Sequence, residues 1–252
     1  MQRFRHCRDW RKEFREFMRW AGRGMRGSES NQDLAGYKVT NTKTSVHQCQ
    51  KPSGWLGRFM VWNMNSRHSK VTDWGLSHIV IRPADTILDV GCGGGRTITK
   101  LATVASQGKV YGVDYSDVSV AVARKLNGRS IEEGRVEICE GSVSELPFED
   151  ATFELVTAVE THFWWPDLPL GMREIQRVLK PGGTVAIIAE VYKGAATRTA
   201  KLLEQYAART GLKLLSVKEH RHLLDGAGYA DIQIIEEPRK GWICGIGKKP
   251  LA

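Results

Sequence analysis

The chain has 252 residues, 41% of them hydrophobic and 26% charged. No apolar run approaches the ~20 residues of a membrane-spanning helix, so a helical membrane protein is excluded and one large domain with an appendage is expected. The net charge of +9 is uneven, because residues 1–26 hold nine Lys/Arg against three acids. A basic arm of this kind argues poorly for nucleic acid as a partner of the main domain, and none is expected. Cysteines 7, 49, 92, 139 and 244 form neither CxxC pairs nor a disulfide framework. A reducing, cytoplasmic setting without a metal site is expected.

Phe4, Cys7, Trp10, Phe14, Phe17 and Met18 recur at spacings of three and four. They predict a basic amphipathic helix over residues 3–20. It would lie on a membrane surface, meet an acidic partner, or pack on its own domain. No apolar core of a secretory signal follows the basic start. Residues 22–45 are polar and glycine-rich and predict a linker, so residues 1–50 read as an arm. Residues 51–82 carry Trp55, Phe59, Trp62 and Trp74. They predict a helical cap with helices near 55–66 and 69–78, packed either as core or as a lid.

From residue 83 to 252 strands and helices alternate. Strands are predicted at 86–90, 109–116, 135–141, 153–160 and 184–192, with helices at 95–105, 118–127, 167–180, 197–210 and 216–226. The helix at 167–180 is followed by Pro181-Gly182-Gly183, which predicts a helix stop. Two closely spaced strands, 229–237 and 241–249, predict an antiparallel hairpin. The fold class is α/β, a doubly wound and mostly parallel sheet ending in that hairpin.

The loop after the first strand reads ILDVGCGGGRT from Ile87 to Thr97. It lacks the Lys-Ser/Thr of a P-loop. It matches a dinucleotide fingerprint poorly, since Arg96 stands where a small residue is needed. Asp114 ends the second strand, 23 residues after Gly91, where a carboxylate can accept hydrogen bonds from ribose hydroxyls. Asp89, just ahead of the loop, adds a second acid. A pyrophosphate is repelled by that pair, whereas a ligand with a cationic centre and an amino group is attracted.

LDVGCGGG, VYGVDYS, GSVSELPFEDATFELVTAVE and EIQRVLKPGG occur in this order. As an ordered set they closely resemble the motifs of class I S-adenosylmethionine-dependent methyltransferases, over about residues 86–249. The nearest group is the small-molecule one that includes the ubiquinone/menaquinone biosynthesis C-methyltransferases. The resemblance implies a seven-stranded Rossmann-like sheet, S-adenosylmethionine as cofactor and methyl transfer to a small molecule. By position, it places Asp89, Gly91, Cys92 and Gly93 around the methionine part. Asp114 would meet the ribose and Tyr115 the adenine. Ser142 and Val143 would border the adenine edge, with Ser142 in place of the family's frequent Asp. Val159 and Glu160 would face the amino acid and sulfonium.

Methyl transfer is an in-line displacement, and it needs a base only where the acceptor holds its proton near neutral pH. ETHFWWPD (160–167) follows the fourth strand, where ligands of open α/β sheets gather. Glu160, His162 and Glu190 are the candidate catalytic groups, and Trp164 and Trp165 the candidate walls. Two other readings stay open: a methyltransferase-like domain that binds without turnover, and a nicotinamide-dependent oxidoreductase, against which no YxxxK pair occurs. The acceptor, the atom methylated and the oligomeric state are not encoded in any motif of the sequence.

Overall fold

A computed structural model describes residues 68–251. The expected arm over 1–50 and the expected helix near 55–66, with Trp55, Phe59 and Trp62, lie outside the described residues. The chain enters through α1 (Ser69–Leu76) and then alternates. The first part runs β1 (Thr86–Val90), α2 (Arg96–Val104), β2 (Lys109–Asp114), α3 (Asp117–Leu126), α4 (Gly128–Glu132) and β3 (Val136–Glu140). Next come β4 (Phe153–Val159), a 3-10 turn (His162–Trp164), α5 (Leu168–Val178) and β5 (Leu179–Ala189). Helices α6 (Arg198–Thr210) and α7 (Val217–Gly226) precede β6 (Ala230–Glu237) and β7 (Trp242–Lys248). None of the described helices is long and apolar enough to cross a membrane.

The sheet has seven strands in the order β3-β2-β1-β4-β5-β7-β6. The first five are parallel, and β7 runs antiparallel to both of its neighbours. Alternation along each strand divides the core between the two faces. Ile87 and Leu155 pack with Ile98 and Leu101 of α2 and Ala123 of α3. Leu88 and Val156, one residue on, pack with Met172 and Ile175 of α5 and Leu224 of α7. Both faces of the central strands are buried, which is why β1 and β4 read as nearly continuous apolar runs. The strand order reverses between β1 and β4, so their carboxyl ends border the crevice where such sheets bind ligands.

The elements fall within about three residues of expectation except at two places. The expected helix over 167–180 ends at Val178, and Pro181-Gly182-Gly183 is not a stop outside the sheet. Those residues form a bulged entry to β5, because Phe153 pairs with Leu179 while Leu155 pairs with Thr184. Gly182, at φ 76, donates its N–H to the Lys249 carbonyl, and Lys249 N–H returns a bond to Gly183. The backbone bonds of the tripeptide are therefore made within the sheet. The five-residue α4 carries too little apolar periodicity to have been predicted.

Helix α1 is seated on the sheet. A Cβ at Gly75 would fall 2.5 Å from Ile188, so only glycine permits this approach. Trp74 meets Trp242 in a tilted ring pair at 5.8 Å and joins the cluster around Val71, Ile188, Cys244 and Ile246. Trp74 itself packs on this cluster.

Candidate active site

A cavity of about 440 Å³ opens at the carboxyl ends of β1, β2, β3 and β4. That is within the range of small-molecule sites. Asp89, Gly91, Cys92, Gly93, Asp114, Tyr115, Ser142, Val143, Val159 and Glu160 all line it. These residues come from four different strand ends.

The glycine loop is shaped by contacts that tolerate no side chain. Gly91 has φ 69, and a Cβ there would lie 2.0 Å from the Thr161 hydroxyl. Gly95 has φ 78, and its Cβ would meet Asn127 Nδ2 at 2.6 Å and Ala123 at 2.8 Å. The close helix–loop packing that a dinucleotide fingerprint assigns to its third small residue is thus made by Gly95. Arg96 begins α2 with an exposed side chain. Gly93 is different: at φ 52, its Cβ position has nothing within 4 Å, so the backbone there borders open cavity. Asn127, which no local motif marks, locks the far end of the loop. Its Nδ2 donates to the carbonyls of Gly95 (3.0 Å) and Ala123 (2.9 Å). Its Oδ1 accepts from Thr99 (2.8 Å).

Two buried carboxylates flank this loop. Asp114 accepts from the backbone N–H groups of Gly93 and Ser116, each at 2.9 Å. Burial nevertheless raises its pKa above the usual carboxylate range. Asp89 accepts from the Thr157 hydroxyl at 2.7 Å. Its pKa is pushed up to about 7, chiefly by burial, with a further contribution from the charge of Asp114. Such a pair favours a ligand that brings positive charge. The Cys92 thiol is pushed well above its ordinary range by burial and by both acids, so it remains a protonated, small wall residue. Tyr115 is half-exposed at the rim.

The other half of the cavity is gathered from distant segments. Glu160 follows β4 with φ 58, a left-handed conformation that is costly for a residue with a Cβ. Its carboxylate accepts the backbone N–H of Glu190, at the end of β5. Trp164, Trp165 and Pro166 form the wall. Trp165 donates its indole N–H to Thr161 at 3.3 Å, and Lys213 Nζ donates to the carbonyls of Trp165 (3.0 Å) and Pro166 (2.6 Å). His68, Ser69 and Thr72, at the start of α1, complete the lining. His68 Nε2 is 3.8 Å from Glu190 Oε1.

His162 is not part of this arrangement. Its ring is fully buried, packed against Phe163 at 4.1 Å and His220 at 5.2 Å, and does not line the cavity. Both ring nitrogens lack a hydrogen-bond partner. Burial, and secondarily His220, holds its pKa well below the ordinary value. Of the three sequence candidates for a catalytic group, His162 is kept from the cavity because the 3-10 turn directs its ring into the core while the two tryptophans reach the cavity. His68 is the histidine at the site. Nothing local marked it, since RHSK before a helix is an ordinary surface sequence.

Residues 88–187 match a family described as a methyltransferase domain. The chain is 31% identical over 150 residues to an O-methyltransferase of Penicillium expansum, covering 60% of this chain and 54% of that protein. It is 40% identical over 106 residues to a demethylmenaquinone methyltransferase of Bacillus mycoides, covering 42% of this chain and 44% of that one. The fold superposes with a TM-score of 0.63 on a SAM-dependent methyltransferase from Aquifex aeolicus, at 18% identity, covering 76% of this chain and 98% of that one. Residues 88–187 are thus similar to methyltransferase domains in sequence, and the chain shares the fold of a SAM-dependent one. The chain spans about half the length of the curated relatives it matches. Three features of the cavity suit S-adenosylmethionine: the open backbone at Gly93, the acid at Asp114 and a loop without the phosphate-binding Lys-Ser/Thr.

Proposed function

We propose that the chain transfers a methyl group from S-adenosylmethionine to a small-molecule acceptor. The observation that carries this reading is a single cavity lined from four strand ends and flanked by two buried carboxylates, Asp89 and Asp114. Asp114 would accept from the ribose hydroxyls, with Tyr115, Ser142 and Val143 around the adenine. Asp89, Gly91, Cys92 and Gly93 would surround the methionine part, and Val159 and Glu160 would face its charged end. When bound, the cofactor supplies an activated methyl group on a good leaving group. The chain's own task is then to align an acceptor and keep water out, which suits the Trp164–Trp165–Pro166 wall. Glu160 and Glu190 are the carboxylates placed to orient an acceptor or take its proton.

The proposal divides the chain into an arm (1–50), a cap (51–82) and a catalytic domain (83–252). His68, Ser69 and Thr72 of the cap line the cavity, which supports a cap role for that segment. The acceptor class that best fits the walls is an aromatic or prenylated one. One relative is a demethylmenaquinone methyltransferase, which supports the same class. Free thiols at Cys92, Cys139 and Cys244 suit a cytoplasmic setting.

The test is incubation of the full chain with S-adenosylmethionine and a panel of hydroquinones and phenols, with S-adenosylhomocysteine measured by mass spectrometry. Acceptor-dependent product formation is expected. Tight binding of S-adenosylhomocysteine with no turnover on any acceptor would instead favour a silent binding domain. Binding of a nicotinamide cofactor in its place would favour an oxidoreductase.

A further inference from the structure

At the acceptor end of the cavity an imidazole and two carboxylates converge from three separate parts of the chain. His68 precedes α1, Glu160 follows β4 and Glu190 follows β5. One ligand atom of each lies within 4.8 Å of the other two. All three side chains are only partly buried, and His68 and Glu160 line the cavity, so the cluster opens to it. This set differs from a patch of surface acids. It combines nitrogen and oxygen donors, and two of its members are fixed at the ends of paired sheet strands, with the Glu190 N–H donating to the Glu160 carboxylate.

We propose that His68, Glu160 and Glu190 form a binding site for a divalent transition-metal cation at the acceptor end of the cavity. One imidazole with two carboxylates suits Mn²⁺, Fe²⁺ or Zn²⁺ better than the all-oxygen shells of Mg²⁺ and Ca²⁺. Two carboxylates balance the charge of such an ion. Three protein ligands leave positions for water or for an acceptor oxygen, which the ion would draw toward the cofactor half of the cavity. Use of the ion in methyl transfer rests on the reading above; its binding does not. No sequence motif announces the site, because its ligands stand 92 and 30 residues apart.

Full-length protein stripped with a chelator and dialysed is titrated with Mn²⁺, followed by calorimetry and by loss of the free-ion EPR signal. One saturable Mn²⁺ per chain is expected, displaced by Zn²⁺. Glu190→Gln and His68→Ala should each weaken it at least tenfold. Glu137→Gln, on the remote β3, should leave it unchanged. Circular dichroism checks each variant, and the near-isosteric Glu190→Gln carries the test if His68→Ala does not fold. Absence of a saturable site, or binding indifferent to both substitutions, overturns the proposal. S-adenosylhomocysteine affinity is measured on the same samples. Its absence with Mn²⁺ binding intact would sink the methyltransferase reading and leave the ion site standing.

Discussion

The half of the cavity proposed for the cofactor comes mostly from one continuous stretch, Asp89 to Tyr115, whereas the half proposed for the acceptor is assembled from His68, Ser69, Thr72, Glu160, Thr161 and Trp164 to Pro166. The first half is built from backbone: positive-φ glycines, N–H groups held by Asp114, and a helix packed against Gly95. The second half is built from large side chains whose placement depends on how α1 and the β4 and β5 ends meet. Backbone shape needs particular residues at particular spacings, so it leaves a local signature. Side-chain convergence across a hundred residues leaves none. Perturbing the two halves should therefore have different consequences.

The largest effect is expected from Gly95→Ala. It combines φ 78 with a Cβ that meets Asn127 at 2.6 Å and the Ala123 backbone at 2.9 Å. Left-handed strain and overpacking each cost of the order of 1–3 kcal/mol, so a stability loss of about 3 kcal/mol is expected. Urea denaturation measures it. A loss below 1 kcal/mol would show that the loop can move away, and that the cofactor half is less rigid than its contacts indicate.

What was legible in the sequence follows the same division. The sheet and its terminal hairpin followed from strand periodicity, whereas the ten positions that line the cavity followed from the resemblance carried by the ordered motifs. His162 misled because ETHFWWPD places it next to the cavity in sequence, while the 3-10 turn faces successive side chains in different directions. His68 was invisible because its place at the cavity depends on α1 docking through Gly75 onto Ile188. The bulge at 180–183 was missed because Pro-Gly-Gly punctuates a chain equally well inside a strand entry and outside it.

Asp114→Ala should weaken S-adenosylmethionine binding by about 1–3 kcal/mol, the cost of losing a charged acceptor and leaving its donors unpaired. It also releases the Gly93 and Ser116 N–H groups. Calorimetry on the folded variant checks this. Unchanged affinity would remove the ribose assignment.

A pH effect should follow from Asp89. In the ligand-free cavity its pKa is about 7. Below that pH the group is protonated, and a cationic ligand must expel the proton. Affinity for S-adenosylmethionine should therefore rise with pH, by up to about tenfold per unit below 7, and level off above it. Neutral 5′-methylthioadenosine should show no such rise. The slope should vanish in Asp89→Asn. Parallel pH profiles for the two ligands would mean that Asp89 does not sense the ligand's charge.

The smallest effect at neutral pH is expected from His162→Phe, in the acceptor-half loop. The imidazole is fully buried with both nitrogens unpaired, so its polar atoms contribute no hydrogen bond to the native state. Phenylalanine is apolar and slightly larger, and its neighbours are already the rings of Phe163 and His220. Removing the unmet polar atoms offsets the added volume, and stability at pH 7.5 should change by less than about 1 kcal/mol. The difference should appear on acidification. Burial holds the pKa values of His162 and His220 below the ordinary histidine value of 6.5. The unfolded chain therefore takes up protons first as pH falls through 6.5. The stability of neutral burial is complete above that pH and declines below it, by up to about 1.4 kcal/mol per pH unit for each group. Urea midpoints between pH 7.5 and 5.5 precede most carboxylate protonation and should fall more steeply for the native chain than for His162→Phe. Identical slopes would mean that water or a shifted ring already satisfies His162, and that the acceptor-half loop is less tightly sealed than the cofactor half.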